Sequence, residues 1–594
     1  MMFSKTKLYY EMSEQQFKEM EEFYTKLGFN EDQVKKLTKS CFGSEIRTSK
    51  NASYSYDWSF YRHREMPPEP RGIFKSAGMP IMRNMMSSMP FMAGAAAPQR
   101  AFNSYAKSLV VEETMDDSCV SAAAEIESEP EEAVEFNTAE TRLTKENEEH
   151  SPLDKPQLIF SANVNTASWT YLRSRIARNR SVDSHFVRIE EIINSYPFEL
   201  NAPKNDDMFE LTTESTPCPW NDDSKLLLVG IKGKKADVNV KQNLCFLVDV
   251  SGSMESRWII VQMSMMAVIS KLKKGDFMSV ISYSDKTTTV AQQLECSDMD
   301  KCIDAVMAIE GIGGCTYGSK GLENAYSYLE EKFDKTANNR VFIFTDGDFN
   351  FGVTSEGNLK DLIYKKRSTG IYLSVVGYGE NNFKDDKMET LAQNGNGNYT
   401  FVSNPYDIID NLWERLISNL VAVAKDVKIS VELNPDFVSE YRLIGYDSRI
   451  LSQKDFDNTE KAVDAIGSEH NVAALIEYKE GKAAQKYSGR YVTAKSSSNS
   501  DEFAFIEIRY KNPEGENLTC KKALTLNDIS SDRADNAEIA AIIAAFGLLV
   551  KNSEYKGNAS RSMLKELVSK YEDTHNVNKD EYSHIGIIKK YVNG

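Results

Sequence analysis

The chain has 594 residues and a formal net charge of −17 at pH 7, and hydrophobic side chains make up 41% of it. A chain of this length folds as several structural units with separate cores. The negative charge argues against nucleic acid or an anionic membrane surface as the partner, because both are bound by basic surfaces. No run of about 18 apolar residues is present, so we expect no membrane span. The N-terminus also lacks a secretory signal pattern, which favours the cytoplasm.

Residues 1–45 predict a small helical hairpin. Ser13 and Gln16 have the spacing of a capping box, and Gly28 separates two segments that each carry an apolar face. Because about 30 residues bury little surface by themselves, we expect this face to pack on the rest of the protein.

Residues 46–156 predict a disordered linker, because Pro, Ser, Ala and acidic residues dominate and no apolar period persists. Within it, residues 112–149 hold fourteen acidic and two basic side chains. Six methionines lie in residues 79–92. This segment has three interpretations: a helix for a partner's groove, a thioether metal cluster, or a flexible patch. Pro80 and Pro90 favour the flexible patch.

The remaining chain predicts four structured parts. We expect helices followed by strands in residues 157–240. In residues 241–425 apolar strands alternate with amphipathic helices, the last of them a long helix ending near Lys425, which predicts an α/β unit with a doubly wound, mostly parallel sheet. Residues 426–535 alternate polar and apolar side chains, which predicts a β-rich domain that also takes a strand from before the α/β unit. Residues 536–594 predict a helical tail.

Oxygen-bearing side chains follow the central strands of the predicted sheet. Asp249, Ser251 and Ser253 follow the first strand, Asp346 follows the fourth, and Thr316 lies in a glycine-rich loop between them. These loops should meet at the carboxyl edge of a parallel sheet. Carboxylate and hydroxyl oxygens suit Mg²⁺ or Mn²⁺. Short Asp-Ser-Gly runs also form turns and helix caps, but five donors in this arrangement favour a metal site.

The order Asp-x-Ser-x-Ser, Thr, Asp resembles the metal-ion-dependent adhesion site of von Willebrand factor type A (VWA) domains, which have a Rossmann-like doubly wound sheet. The resemblance implies that Ser251, Ser253 and Thr316 touch the ion directly, and that Asp249 and Asp346 hold it mainly through water. It also implies an open coordination position that accepts an acidic side chain of a partner protein.

The resemblance extends beyond the site, over about residues 160–594. Segments such as NTASWTYLRSRI, CPWNDDSKLLLVGIKG and QNGNGNYTFV resemble a bacterial subgroup of VWA proteins. That subgroup carries a VWA-associated segment before the domain and an extension after it.

Catalytic signatures are missing from the sequence, so we expect a protein-binding module and not an enzyme. The six histidines are scattered without an HExxH pattern. In GGCTYGSK, Ser319 occupies the position where a phosphate-binding loop has its lysine. The eight cysteines show no CxxC spacing, which predicts free thiols. Two alternatives stay open: a VWA subunit that works with a separate ATPase, and a Mg²⁺-dependent hydrolase.

Overall fold

The computed structural model describes residues 14–42 and 145–594, apart from short gaps at 163–164, 237–239, 310–312, 314–317, 348–355, 380–384, 414–420, 462, 485–500, 530–533 and 578–579. The predicted linker up to residue 144, its Met-rich segment and Thr316 therefore lie outside the described residues.

Fifteen strands form three sheets in the described chain. In chain order they are β1 (Gln157–Ser161), β2 (Phe209–Pro217), β3 (Lys225–Gly233), β4 (Lys241–Asp249), β5 (Phe277–Tyr283), β6 (Thr287–Glu295), β7 (Ala337–Thr345), β8 (Ile371–Tyr378), β9 (Tyr399–Val402), β10 (Ala422–Leu433), β11 (Val438–Ile444), β12 (Ile466–Gly467), β13 (Asn471–Glu480), β14 (Glu502–Lys511) and β15 (Asn517–Thr525).

The α-helices of the described chain surround these sheets. They are α1 (Glu14–Lys26), α2 (Glu31–Phe42), α3 (Ala167–Ala177), α4 (Ile189–Ser195), α5 (Trp258–Ile269), α6 (Met299–Met307), α7 (Gly318–Glu331), α8 (Glu356–Ser368), α9 (Asp385–Asn394), α10 (Pro405–Asp407), α11 (Gln453–Asp457), α12 (Leu526–Ile529), α13 (Asp535–Lys551), α14 (Arg561–Thr574) and α15 (His584–Asn593). Short 3₁₀ turns lie at Ser184–Phe186 and Gly252–Arg257, and a π-helical turn at Ile408–Trp413.

The α/β unit is a six-stranded sheet in the order β6-β5-β4-β7-β8-β9. Strands β5, β4, β7, β8 and β9 are parallel, and β6 is antiparallel to β5. Alternate residues of β4 point to opposite faces: Phe246 packs in the same core cluster as α5, whereas Leu247 packs in the same cluster as α7. The predicted doubly wound, mostly parallel sheet is confirmed.

The β-rich domain is a β-sandwich of two antiparallel sheets, called the sandwich below. One is five-stranded, with β1, β10, β14 and β15 in a row and β12 paired to β10; the other is four-stranded, in the order β11-β13-β3-β2. Their inner faces share one apolar core that includes Phe160, Val229, Ile429 and Ile476. Strands β2 and β3 precede the α/β unit and β10 to β15 follow it, so the predicted assembly from both flanks is confirmed.

Two predicted boundaries are wrong. The helix predicted to end near Lys425 gives way to β10 at Ala422, because Val423 enters the sandwich core and Ala422 pairs with Gly467. The linker predicted to run to residue 156 also ends earlier, since residues 145–156 lie on the sandwich. There His150 forms a β-bridge with Tyr441.

The N-terminal hairpin packs on the α5 side of the sheet, as expected. Met20, Phe23 and Leu37 are fully buried in the core cluster that contains α5. At the edge of this contact, Lys36 Nζ lies 2.7 Å from Asp304 Oδ1 of α6. The hairpin is therefore part of the folded body.

Buried ion pairs join the α/β unit to its neighbours. Arg173 of α3 pairs with Asp407 and with Asp410 at 2.9 Å, which connects the segment before the unit to the unit's last turns. Arg449 of the sandwich pairs with Asp464 and, at 2.8 Å, with Glu389 of α9. The C-terminal helices complete the body, and 11 of the 17 residues of α13 are buried. No helix among the described residues is long and apolar enough to cross a bilayer.

Candidate metal site

Strands β4 and β7 end side by side at the carboxyl edge of the α/β sheet. The parallel register pairs Val248 with Phe344, so Asp249 and Asp346 both fall at the point where these strands end. Both carboxylates are 0% exposed. The structure therefore places these two residues at the same edge of the sheet.

Three donors hold the Asp249 carboxylate in place. Oδ1 accepts from the backbone N–H of Ser251 at 2.9 Å, and Oδ2 accepts from Thr345 Oγ1 at 3.0 Å and from the Tyr283 hydroxyl at 3.2 Å. Burial raises the pKa of Asp249 to about 7; the Ser251 hydrogen bond opposes this increase, and the charge of Asp346 adds to it. The two carboxylates therefore interact electrostatically.

Sequence reasoning missed Tyr283 and Thr345. Their role depends on the adjacency of β5, β4 and β7, which no local pattern reveals. A glycine marks the position of Tyr283: at Gly321 of α7, an added Cβ would lie 2.8 Å from Tyr283 Cγ. A side chain at this position would push against the ring whose hydroxyl supports Asp249.

The two serine hydroxyls lie next to each other beside these carboxylates. Ser251 Oγ and Ser253 Oγ are 3.1 Å apart, with Ser251 buried and Ser253 half-buried. Two oxygens that bind the same octahedral Mg²⁺ at right angles are separated by about 3 Å. The hydroxyl spacing and the all-oxygen donor set fit a hard divalent cation.

The position of Thr316 is outside the described residues, but its loop is partly placed. Gly313, three residues earlier, donates its N–H to the carbonyl oxygen of Val250 at 2.8 Å. This bond brings Gly313 to the end of β4. The assignment of Thr316 to the site stays a prediction.

A cation that the sequence analysis missed also reaches the site. Arg257 Nη1 donates to the carbonyl oxygen of Ser253 at 2.7 Å and lies 3.8 Å from Asp346 Oδ2. The guanidinium packs against Gly379, where φ is +104° and an added Cβ would lie 2.8 Å from Nη2. Glycine at this position lets the backbone adopt a left-handed conformation and leaves room for the guanidinium.

The candidate ligands that the structure describes at this edge all carry oxygen donors. The cysteines with described side chains, namely Cys218, Cys245, Cys296, Cys302 and Cys520, are free thiols, as predicted. Burial raises the pKa of Cys245 in β4 to about 12, so it stays a neutral thiol. Among the residues that the structure describes, no cluster of three or more His, Cys, Asp or Glu side chains could hold a metal. The candidate site is not a cluster of this type, because it combines two carboxylates with serine hydroxyls.

A hydroxyl–imidazole pair lies elsewhere, between α4 and α15. Ser195 Oγ is 2.7 Å from His584 Nε2 and 2.6 Å from the carbonyl oxygen of Ile192. A serine has one hydroxyl proton and a carbonyl can only accept, so Ser195 donates to Ile192 and accepts from the imidazole. The imidazole also stacks on Trp169, with ring centroids 3.9 Å apart. The pair connects α15 to α4.

The sheet and the residues at its carboxyl edge define a VWA-domain protein, and family comparisons agree. The model described as von Willebrand factor type A domain matches residues 243–413, and one described as von Willebrand factor matches residues 135–228. The model described as "Uncharacterized protein YfbK, C-terminal" matches residues 418–590.

Comparison with individual proteins specifies the family. "Uncharacterized protein YfbK" of Escherichia coli (strain K12) is 30% identical over 426 residues, which cover 69% of this chain and 74% of the relative. Inter-alpha-trypsin inhibitor heavy chain H3 of Pongo abelii is 24% identical over 27% of this chain and 19% of its own length. A solved structure described as von Willebrand factor type A from Catenulispora acidiphila covers 66% of this chain and 97% of its own, with 13% identity and a TM-score of 0.39. The chain belongs to the YfbK family of bacterial VWA-domain proteins.

Proposed function

We propose that this chain is a protein-binding module whose binding depends on a divalent metal ion, Mg²⁺ or Mn²⁺. Ser251, Ser253 and Thr316 would hold the ion directly, and Asp249 and Asp346 would hold it mainly through water. The ion would supply an open position for an acidic side chain of a partner protein. In this proposal the chain binds and scaffolds, and does not catalyse a reaction.

The pair of serine hydroxyls beside two buried carboxylates carries the proposal. Burying two like charges together is costly unless a cation compensates them, and a divalent ion supplies that compensation. Oxygen donors without thiolate or imidazole favour a hard ion. The ion's remaining positive charge in turn favours a carboxylate as the external ligand.

Calorimetric titration of the full chain with MgCl₂ tests the metal. We expect saturable binding to the wild type, and loss of binding in Ser253→Ala and Asp346→Asn. A suitable control is Ser270→Ala, whose hydroxyl donates to the Ala267 carbonyl at the end of α5. Equal binding by the wild type and both site variants would contradict the proposal.

Partner capture tests the second half of the proposal. A purified candidate partner should be retained by the full chain in MgCl₂ and released by EDTA, and an Asp346→Asn variant should fail to retain it in either condition. Retention in EDTA would show that binding does not use the ion, and would favour a metal-independent scaffold.

The two alternatives remain less well supported. A VWA subunit that works with a separate ATPase would use the same metal-dependent face, and capture of an ATPase in Mg²⁺ would identify it. A hydrolase would need an activated nucleophile or a metal-bound water with a general base. The Ser195–His584 pair does not favour it, since the hydroxyl proton is already donated to a carbonyl.

A further inference from the structure

Arg257 is held at the edge of the candidate metal site by three contacts. Its guanidinium donates to the Ser253 carbonyl at 2.7 Å, lies 3.8 Å from Asp346 Oδ2, and rests against Gly379. Two of these contacts come from the loops after β4 and β7, which carry candidate ligands, and the third comes from the loop after β8. The Arg257 side chain is 22% exposed, whereas Asp346 is 0% exposed.

The charge of this guanidinium is permanent, because arginine is not deprotonated in proteins. It partly compensates Asp346 in the absence of a divalent ion. When an ion is bound between the serine hydroxyls and Asp346, the same positive charge repels it. A fixed charge at this range changes the affinity for a divalent ion on the order of tenfold, even with strong solvent screening.

The guanidinium has the opposite effect on a carboxylate. Nη1 is committed to the Ser253 carbonyl, but a guanidinium carries five N–H donors in a planar fork that matches a carboxylate. The Arg257 side chain is 22% exposed, so a ligand from the solvent can contact it. A carboxylate that binds an ion beside Ser253 and Asp346 would therefore also meet the positive charge of this guanidinium.

We propose that Arg257 is a specificity-determining residue that lowers the affinity of the site for the divalent ion and raises its affinity for the carboxylate bound to that ion. This inference rests on the proposed function of the site. Its consequence is that the ion alone is held weakly and that the complete site forms when an acidic partner is present. The segment after β4 would thus supply both serine ligands and the group that selects the partner's charge.

Mn²⁺ binding to the full chain, followed by the electron paramagnetic resonance signal of the free ion, tests the proposal. The variants are Arg257→Gln, which removes the charge, and Arg257→Lys, which keeps it. Lys335→Gln removes one charge at an exposed position before β7, at the opposite edge of the sheet, and controls for net charge. Each titration is performed in chloride and then in sodium acetate of equal ionic strength.

We expect Arg257→Gln to bind Mn²⁺ on the order of tenfold more tightly than the wild type in chloride. Arg257→Lys and Lys335→Gln should stay within about twofold of the wild type. Acetate should strengthen Mn²⁺ binding by the wild type more than by Arg257→Gln. A purely structural role of Arg257 would not give Arg257→Gln both tighter Mn²⁺ binding in chloride and a smaller effect of acetate.

Two results would overturn the inference. One is Mn²⁺ binding by Arg257→Gln that is no tighter than wild-type binding in chloride; the other is an equal acetate effect in both proteins. If neither the wild type nor Arg257→Gln binds Mn²⁺, the proposed function itself fails. Unfolding midpoints of all variants, measured without metal, show whether each variant is folded.

Discussion

Thr345 Oγ1 donates a hydrogen bond to Asp249 Oδ2 at 3.0 Å and accepts one from the N–H of Gly347, also at 3.0 Å. One hydroxyl at the end of β7 therefore orients the carboxylate at the end of β4 and the turn that carries Asp346. The candidate ligands Asp249 and Asp346 are therefore coupled through a residue that is not itself a candidate ligand.

Replacing the Thr345 hydroxyl should weaken Mg²⁺ binding at the site without creating a cavity in the core. Thr345→Val keeps the side-chain shape but leaves a buried carboxylate oxygen and a buried N–H with one partner fewer, which costs about 1–3 kcal/mol of the free energy of unfolding. We expect chemical denaturation to show this loss, and calorimetry to show weaker Mg²⁺ binding. Thr369→Val, at an exposed helix end where Oγ1 contacts the Lys366 carbonyl, should change neither quantity appreciably.

The raised pKa of Asp249 predicts a pH-dependent metal affinity. With a pKa of about 7, the carboxyl is mostly protonated in the metal-free protein near pH 5.5 and ionised near pH 8.5. Because the ion binds the deprotonated form, its affinity should rise with pH up to about 7 and then level off. Mg²⁺ titrations across this range test it, and an affinity that stays constant below pH 7 would contradict it.

The same pKa has a consequence for stability. The folded-state value lies above the ordinary aspartate value of 3.8, so the metal-free folded protein binds more protons than the unfolded chain between these two values. Because of this carboxyl, the free energy of unfolding falls as pH rises through that interval. Thermal unfolding in EDTA should show a shallower decline for Asp249→Asn than for the wild type.

Gly397 allows close contact between β8 and the turn before β9. An added Cβ would lie 1.8 Å from the Leu373 carbonyl oxygen, so the backbone of Gly397→Ala must move. We expect a loss of at least about 3 kcal/mol in the free energy of unfolding. Gly252→Ala is a matched control, because an added Cβ there meets no atom within 4 Å; its effect on stability should be within about 0.5 kcal/mol.

The Arg449 ion pairs should contribute far more to stability than surface pairs. Arg449→Met removes the guanidinium partner of buried Asp464 and leaves Glu389 with Arg188, which lies 3.2 Å away. Breaking a buried pair on one side costs about 3–5 kcal/mol. Lys225→Met, which breaks an exposed pair with Glu480, should cost less than about 1 kcal/mol. Equal effects in urea denaturation would show that the Arg449 pairs are solvated.

The α/β unit, and the position of Asp249, Ser251, Ser253 and Asp346 at one edge of its sheet, were predictable because the signals are local; that these residues bind a metal stays a prediction. Apolar runs such as that of β4 mark buried strands, and the polar residues at their ends mark one edge of a parallel sheet. The pairing of β4 with β7 then brings Asp249 and Asp346 to the same edge. Thr316 was predicted from the same reasoning and stays a prediction.

The rest depends on contacts between residues that are distant in sequence. Residues 145–156 have the composition of a linker, yet Asn147 Nδ2 donates to the Gly445 carbonyl at 2.7 Å, 298 positions away. In the sequence, Arg257 resembles an ordinary surface cation. Its position at the site follows from its contacts with Asp346 and Gly379. Such roles arise from packing geometry, which polar composition does not encode.

Crystals of the full chain grown with MnCl₂, measured by anomalous diffraction at the manganese edge, would show directly whether a divalent ion binds where β4 and β7 end. We expect one strong anomalous peak about 2.2 Å from Ser251 Oγ and Ser253 Oγ, beside Asp249 and Asp346, with the Thr316 hydroxyl also in contact. Saturating Mn²⁺ with no peak at this edge of the sheet, or with the ion bound only at other residues, would contradict the proposed metal site.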